Sequence, residues 1–292
     1  MLLGVAFWTL LWGPVGLVLA VPLTLAVVVM GQHVPRLEFL RVLLGNEPVL
    51  EPHEHLYHQL LAGGAIPAAK EADRWIGEQS FENYLDNVAI PAFRVASDDQ
   101  RRAVLGRDQI NELNETIAEY IKLVKESLEY KREQQTAKIA ADPDATRRAA
   151  TALVLAGRGS LDLAASQLIA DAIRLDLGVA ARCPSLGGLT GISAAAEAEP
   201  DTPPDVVALI SVGAVTPAQL DILLHRLRWT FPESQIVIGY WEHGVERQES
   251  NDAEGIRYAK SVTSLIDLVG RKAQQQSHNA ESVRNLETVA NA

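Results

Sequence analysis

The chain has 292 residues, of which 48 % are hydrophobic and 22 % are charged, and it carries a formal net charge of −11. A nucleic-acid-binding protein needs a basic surface to displace the counterions of the phosphates, so this acidic balance argues against nucleic acid as a partner. The single cysteine, Cys183, cannot form an internal disulfide, which is typical of a reducing compartment.

The first 35 residues contain no Asp, Glu, Lys or Arg, so all 63 charged residues lie beyond them. A signal peptide has a basic start and an apolar run of about 7–15 residues, whereas this run is longer and nothing basic precedes it. Uncharged runs of this length are typical of lipid bilayers. Residues 1–33 therefore predict a transmembrane segment.

Two glycines and two prolines shape this segment. Pro14 lacks an amide donor and Gly13 weakens the helix before it, so we predict a helix break at this point and a span from about Val15 to Gln32. Gly16 would allow close helix packing, and Pro22 is tolerated where neighbouring helices satisfy the freed carbonyl. The alternative is one tilted and kinked membrane anchor.

The run LLWGPVGLVLAVPLTLAVVVMGQHVPRLEFLRVLLGNEP resembles the end of the membrane domain in the autoinducer-2 exporter family of bacterial permeases. In that family, the tract that corresponds to Gly13–Leu23 lies in the last membrane helix. The resemblance implies that Met1 lies inside the penultimate helix and that further N-terminal membrane helices belong to the same protein. It also implies a multi-pass protein of the bacterial inner membrane that transports a small polar solute or ion. Arg36 and Arg41 after the span favour a cytoplasmic C-terminal region.

Residues 34–63 are interpreted as a juxtamembrane connector that includes the stretch EPHEHLYHQLL. On a helix, Glu54 and His55 would share one side with His58, which is compatible with zinc. The order HExxH is absent, however, because no histidine lies four residues after His53. A short amphipathic helix with a solvated polar face is therefore the favoured interpretation, and no metal site is predicted.

Residues 64–148 predict a helical region. One apolar pattern covers Ser80–Ala89 and ends before Pro91, and Ser97 to Gln100 resembles a capping box that opens another helix. The clearest helix covers Asp108–Lys131, with an apolar stripe of Leu113, Ile117, Ile121, Val124 and Leu128. A helical bundle and a helix-mediated dimer are both compatible with these patterns, so self-association is one expected kind of partnership.

Residues 149–272 predict a Rossmann-like α/β module, because short apolar runs alternate with helical patterns. Four strands are predicted, in TALVLA, GVAARC, DVVALISVG and QIVIGYW. Helices are expected after the first strand, after Thr216-Pro217, and over Ile256–Val269. We expect a loop from Pro184 to Pro204 and a disordered tail over 273–292. The predicted fold is thus a membrane helical segment, a cytosolic helical region and a parallel-sheet module.

Ligands of parallel sheets bind beyond the carboxyl ends of the strands. The predicted ligand or anion site comprises residues at three such ends: Gly157, Arg158, Gly159, Ser160, Ser211, Gly213 and Trp241. The stretch GRGS could hold an anion through its amides, although it matches neither GxGxxG nor a P-loop. No cofactor is predicted.

The arrangement of a helical region before an α/β unit also resembles cobalamin-binding modules, which carry Asp-x-His-x-x-Gly after the first strand. Residues 157–162 read GRGSLD instead, so a histidine ligand to cobalt from this loop is excluded. A degenerate or purely structural relative of that fold stays open.

Three functional hypotheses follow. The first is a permease whose cytosolic part regulates or assembles the transporter, and it predicts no catalytic residue. The second is a single-span, membrane-anchored sensor or scaffold with a ligand-binding α/β domain. The third is an anchored enzyme that uses the loop from Gly157 to Ser160.

Overall fold

A computed structural model of the chain describes residues 8–15, 50–139, 151–198, 203–241, 250–251 and 255–275. The chain divides into two compact units, Met1–Glu51 and Pro52–Ala292.

In the first unit, residues 8–12 are helical and Gly13 forms a turn before helical residues 14 and 15. Gly13 has a φ of +61°, in the left-handed region that favours glycine, and its amide donates to the Thr9 carbonyl at 2.8 Å. This turn coincides with the predicted helix break. Gly16 and Pro22 lie outside the described residues. Among the described residues, no helix is both long enough and apolar enough to span a bilayer.

The second unit begins with five helices. They are α1 (Pro52–Leu61), α2 (Ala65–Glu78), α3 (Phe81–Tyr84), α4 (Ile90–Arg101) and α5 (Arg107–Ile139), with a π-helical turn at Leu85–Ala89 between α3 and α4. The predicted stripe of α5 is confirmed, because all five of its side chains are buried. Helix α1 buries Leu56 and Leu60, so the end of the predicted connector belongs to the folded unit.

The prediction that a helix ends before Pro91 is wrong. The chain stays helical from Phe81 to Arg101 because the π turn precedes Pro91, and the Ile90 amide donates to the Leu85 carbonyl five residues back. Pro91 lies just after this π turn, which accommodates the missing amide within a continuous helix. The capping box at Ser97 is wrong for the same reason, since Ser97 already lies inside α4.

The sheet has six strands in the order β2-β1-β3-β4-β6-β5, and all neighbours are parallel except β5, which is antiparallel to β6. The strands are β1 (Thr151–Ala156), β2 (Ala180–Arg182), β3 (Val206–Ser211), β4 (Gln235–Tyr240), β5 (Ser250–Asn251) and β6 (Ile256–Ala259). The helices are α6 (Ser160–Leu177), α7 (Gly188–Ala198), α8 (Pro217–Thr230) and α9 (262–275). The predicted α/β fold and the four predicted strands are confirmed.

Two predictions in this module are wrong. Ile256–Ala259 is a strand, and the helix predicted to include it begins only at residue 262. The spacing of buried Ile256 and Ala259 fits a helix as well as a strand end, and four residues are too few to display strand alternation. The segment from Pro184 to Pro204 was predicted to be a loop, but residues 188–198 of it form helix α7. This helix ends in the alanine-rich run GISAAAEA.

The two faces of the sheet are covered differently. Helices α7 and α8 cover one face through a cluster that includes Leu153, Ile192 and Leu223. On the other face, one continuous core joins α6 and α9 to helices α1–α5. The helical region and the sheet therefore share a core, and this places α4 and α5 close to the carboxyl edge of the strands.

Candidate functional site

The candidate site lies at the carboxyl edge, between β1 and β3. The five parallel strands lie in the order β2-β1-β3-β4-β6. From β1 the chain first moves outward to β2 and then returns to β3 on the other side of β1, so the direction across the sheet changes between β1 and β3. Such a switch point is the usual place for a ligand in a doubly wound sheet. The Gly157 amide donates to the Ile210 carbonyl at 2.7 Å, so the predicted loop begins directly at this point.

A carboxylate of the protein occupies this switch point. Asp162, in the first turn of α6, is only 6 % exposed. Its Oδ2 accepts a hydrogen bond from the Gly159 amide at 3.0 Å, and its Oδ1 accepts one from the Val212 amide at 2.8 Å. The amides of Arg158 and Gly213 also bond to this carboxylate. The backbone donors that we predicted for an external anion therefore bind Asp162.

Burial and hydrogen bonding act on Asp162 in opposite directions. Burial raises the pKa of this carboxyl group above its ordinary value, and the four backbone amides partly offset the increase because they stabilise the charged form. A Cβ atom on Gly157 would lie 2.6 Å from Asp162 Oδ2, so glycine is needed for the close approach of loop and carboxylate. The sequence motif GRGS thus serves an internal contact.

The side chains of Arg158 and Ser160, which were also predicted to bind a ligand, do not contact Asp162 at the switch point. Arg158 is exposed, and its Cγ lies near the turn at Gly188 that leads into α7. Ser160 is also exposed, and its hydroxyl donates to Asn114 Oδ1 on α5 at 2.8 Å. Of the predicted loop, only the backbone of residues 157–159 faces the switch point.

The β3 end is closed by packing. The Ser211 hydroxyl is buried and donates to the Gly213 carbonyl at 3.2 Å. A Cβ atom on Gly213 would lie 2.4 Å from Ser97 Oγ, so α4 approaches the backbone here more closely than any larger residue would allow. The structure thus brings Ser211 and Gly213 to the predicted edge, but under α4.

Trp241, at the end of β4, is also bound to α4. Its carbonyl accepts a hydrogen bond from Arg94 Nη1 at 3.2 Å, and its indole lies against Gly239, where a Cβ atom would be 2.6 Å from Cη2. The indole Nε1 is buried and has no hydrogen-bond partner among the described residues. Arg94 was not predicted, since an arginine within a helical pattern carries no local signal of this contact.

A second carboxylate lies at the same edge. Asp86, in the π turn, accepts hydrogen bonds from the amides of Val262 and Thr263 and from the Thr263 hydroxyl, the last at 2.7 Å. It therefore caps the N-terminus of α9, as Asp162 caps that of α6. Sequence analysis missed this role because 176 residues separate Asp86 from Val262.

An acidic group lies where the helical region meets α6 and α9. Glu82 bonds to Asp176, and Asp267 and Asp86 lie close enough to repel it. Burial first, and then the neighbouring carboxylates, raise the pKa of Glu82 to about 7. Burial also raises the pKa of Asp176. A proton shared between Glu82 and Asp176 stabilises their contact, so this contact depends on pH.

The histidine stretch forms ordinary polar contacts. His55 Nδ1 lies 3.2 Å from Glu71 Oε2, to which Gln59 Nε2 also donates at 3.1 Å. Within the described residues, no group of three His, Cys, Asp or Glu side chains is arranged to hold a metal ion. Burial raises the pKa of the Cys183 thiol to about 11, which keeps it protonated and unreactive at neutral pH.

Comparison with known proteins assigns no family. No protein-family model matches the chain, and no curated protein matches it. At this edge, carboxylates of the chain itself accept hydrogen bonds from backbone amides: Asp162 from Gly159 and Val212, and Asp86 from Val262 and Thr263.

Proposed function

We propose that the chain belongs to a membrane permease that resembles the autoinducer-2 exporter family, and that residues 52–275 are its regulatory or assembly module. In this proposal, residues 1–33 lie in the bilayer of the bacterial inner membrane with the remaining membrane helices of the same protein. Those helices would transport a small solute or ion, and the module would lie in the cytoplasm. The tract Gly13–Leu23 supports the membrane part of the proposal.

One observation favours a regulatory or assembly role over ligand binding in the module. Asp162 takes the backbone donors at the β1/β3 switch point, where a phosphate or other anionic ligand would bind. An incoming anion would have to displace a buried carboxylate and would meet its charge. In this proposal, the module acts through contacts with other parts of the permease.

A reading-frame experiment tests the membrane part. The DNA upstream of Met1 is translated in frame, and several further hydrophobic spans without a stop codon are the expected result. An in-frame stop codon with a ribosome-binding site directly before Met1 would overturn this part. It would favour the alternative of a stand-alone, single-span sensor or scaffold.

Calorimetry tests the role of the module. We expect no binding heat when the purified chain is titrated with inorganic phosphate, ATP or NAD. Saturable heat from one of them in the wild-type chain, lost on substitution of Gly157 by alanine, would overturn the assembly role. Such a result would favour the ligand-binding sensor.

A further inference from the structure

The outward face of α8 carries a stripe of exposed apolar and charged side chains. Six exposed residues recur every three or four positions, which places them along one side of the helix: Ala218, Asp221, Ile222, His225, Arg226 and Trp229. Ile222 is 58 % exposed and Trp229 is 77 % exposed. The opposite side of α8 packs on the sheet through Leu220, Leu223 and Leu227.

This stripe lies on the side of the sheet that lacks a second helical layer. Helices α1–α5 cover α6 and α9 on the other face. The high exposure of Trp229 shows that no described residue covers it. Large aromatic side chains are enriched at protein interfaces, where they supply much of the binding energy.

The charged side chains of the stripe are divided between the two halves of the helix. Asp221 lies in its first half, and His225 and Arg226 lie in its second half. Asp221 and Arg226 are five residues apart, so they do not face each other along one helix as residues three or four apart would. Among the described residues, Arg226 donates a long hydrogen bond of 3.5 Å to the hydroxyl of Ser193 on α7, and its side chain is exposed.

We propose that α8 pairs antiparallel with α8 of a second copy, across a two-fold axis between Leu223 and Leu224. In this register, Asp221 faces Arg226 of the other copy, and Ile222 faces His225. The large Trp229 faces the small Ala218. Each contact occurs twice because a two-fold interface uses the same patch on both copies. A parallel pair would instead place the two Asp221 carboxylates together.

The surface extends beyond α8. Leu189 on α7 is 49 % exposed and lies one helical turn before Ser193, the residue that contacts Arg226. Leu189 therefore adds an exposed apolar side chain on the helix next to α8, and the proposed interface includes α7 as well as α8.

Charge reversal on the full-length chain tests the dimer. Sedimentation velocity over a concentration series should show a dimer for the wild type. Asp221→Arg and Arg226→Asp should each weaken it by at least about tenfold, since each places two like-charged pairs in the interface. The double variant Asp221→Arg/Arg226→Asp should restore it, and an equimolar mixture of the two single variants should form a mixed dimer.

A second pair of variants tests the apolar contact. Trp229→Ala should weaken the dimer, whereas Tyr130→Ala should leave it unchanged, because Tyr130 is 64 % exposed on α5, which packs on the other face of the sheet from α8. A wild-type chain that stays monomeric would overturn the proposal. So would a dimer that persists in Asp221→Arg, or a folded double variant, verified by circular dichroism, that fails to dimerise.

Discussion

The two tyrosines in the core of the helical region illustrate how single polar atoms are stabilised there. The hydroxyls of Tyr84 and Tyr120 lie 2.6 Å apart, and both side chains are buried. Burial raises the pKa of both, so the pair stays neutral and shares one hydrogen bond.

Replacing either tyrosine of this pair should lower the free energy of unfolding by more than half of the loss caused by replacing both. Tyr84→Phe or Tyr120→Phe leaves a buried hydroxyl without its partner, at about 1–3 kcal/mol, whereas the double variant removes both polar groups. Urea unfolding of the three variants gives the coupling energy. Strictly additive losses would show that the two hydroxyls do not depend on each other.

Asp162→Ala should convert the switch point into an anion site. The variant leaves the amides of Gly159 and Val212 without their acceptor, which should lower the free energy of unfolding by about 2 kcal/mol. Sulfate or phosphate should then raise the melting temperature of the variant more than that of the wild type. The control is Asp108→Ala, an exposed acid in the first turn of α5. An equal response to sulfate in all three chains would contradict the assignment.

At the scale of elements, helix α3 meets α6 through two carboxyl groups, Glu82 and Asp176. The pKa of Glu82 is raised to about 7 in the folded chain from an ordinary value of 4.5. The folded state therefore holds the proton more tightly, and its stabilising effect is lost as the pH rises from about 4.5 through 7.

Glu82→Gln should remove part of this pH dependence. The variant should gain free energy of unfolding relative to the wild type between pH 5 and pH 8, since it stays neutral beside Asp176. Chemical denaturation at several pH values measures the difference. Glu78→Gln, at an exposed position on α2, should show no such trend. A constant difference across this range would exclude Glu82 as the responsible group.

Long apolar patterns made the elements predictable where burial is continuous or strictly periodic. The stripe of α5 and the continuous runs of β1 and β3 fall in this class, because their side chains have only one face or one core to occupy. The prediction at Pro91 was wrong because the π turn that accommodates this proline has no recognisable sequence pattern. The same limit applies to the site: GRGS marked the edge, but Asp86, whose partners are 176 residues away, could not be found.

At the scale of the whole molecule, the helical region and the sheet are joined by one continuous core. The two regions share one core, and the Lys125 ammonium on α5 lies 3.5 Å from the Asp171 carboxylate on α6. The buried face of α6, with Leu168 and Ile169, belongs to this shared core, so the α/β module would expose it without α1–α5.

Residues 149–292 expressed alone should therefore lack a cooperative transition and should bind a hydrophobic dye, whereas residues 52–292 should unfold in one step. Differential scanning calorimetry of the two fragments makes the comparison. Equal and sharp transitions in both would show that the module folds independently. That outcome would support the predicted boundary near residue 148.

The π turn at Leu85–Ala89 also determines how α3 and α4 are rotated relative to each other about the helix axis. One residue advances a helix by about 100°, so losing a residue here would leave a regular helix but rotate α3 and α4 against each other by that angle. Asp86 would then point away from the amides of Val262 and Thr263, although its sequence neighbours were unchanged. The number of residues between Ser80 and Pro91 is therefore constrained by a contact that lies far from this segment in sequence.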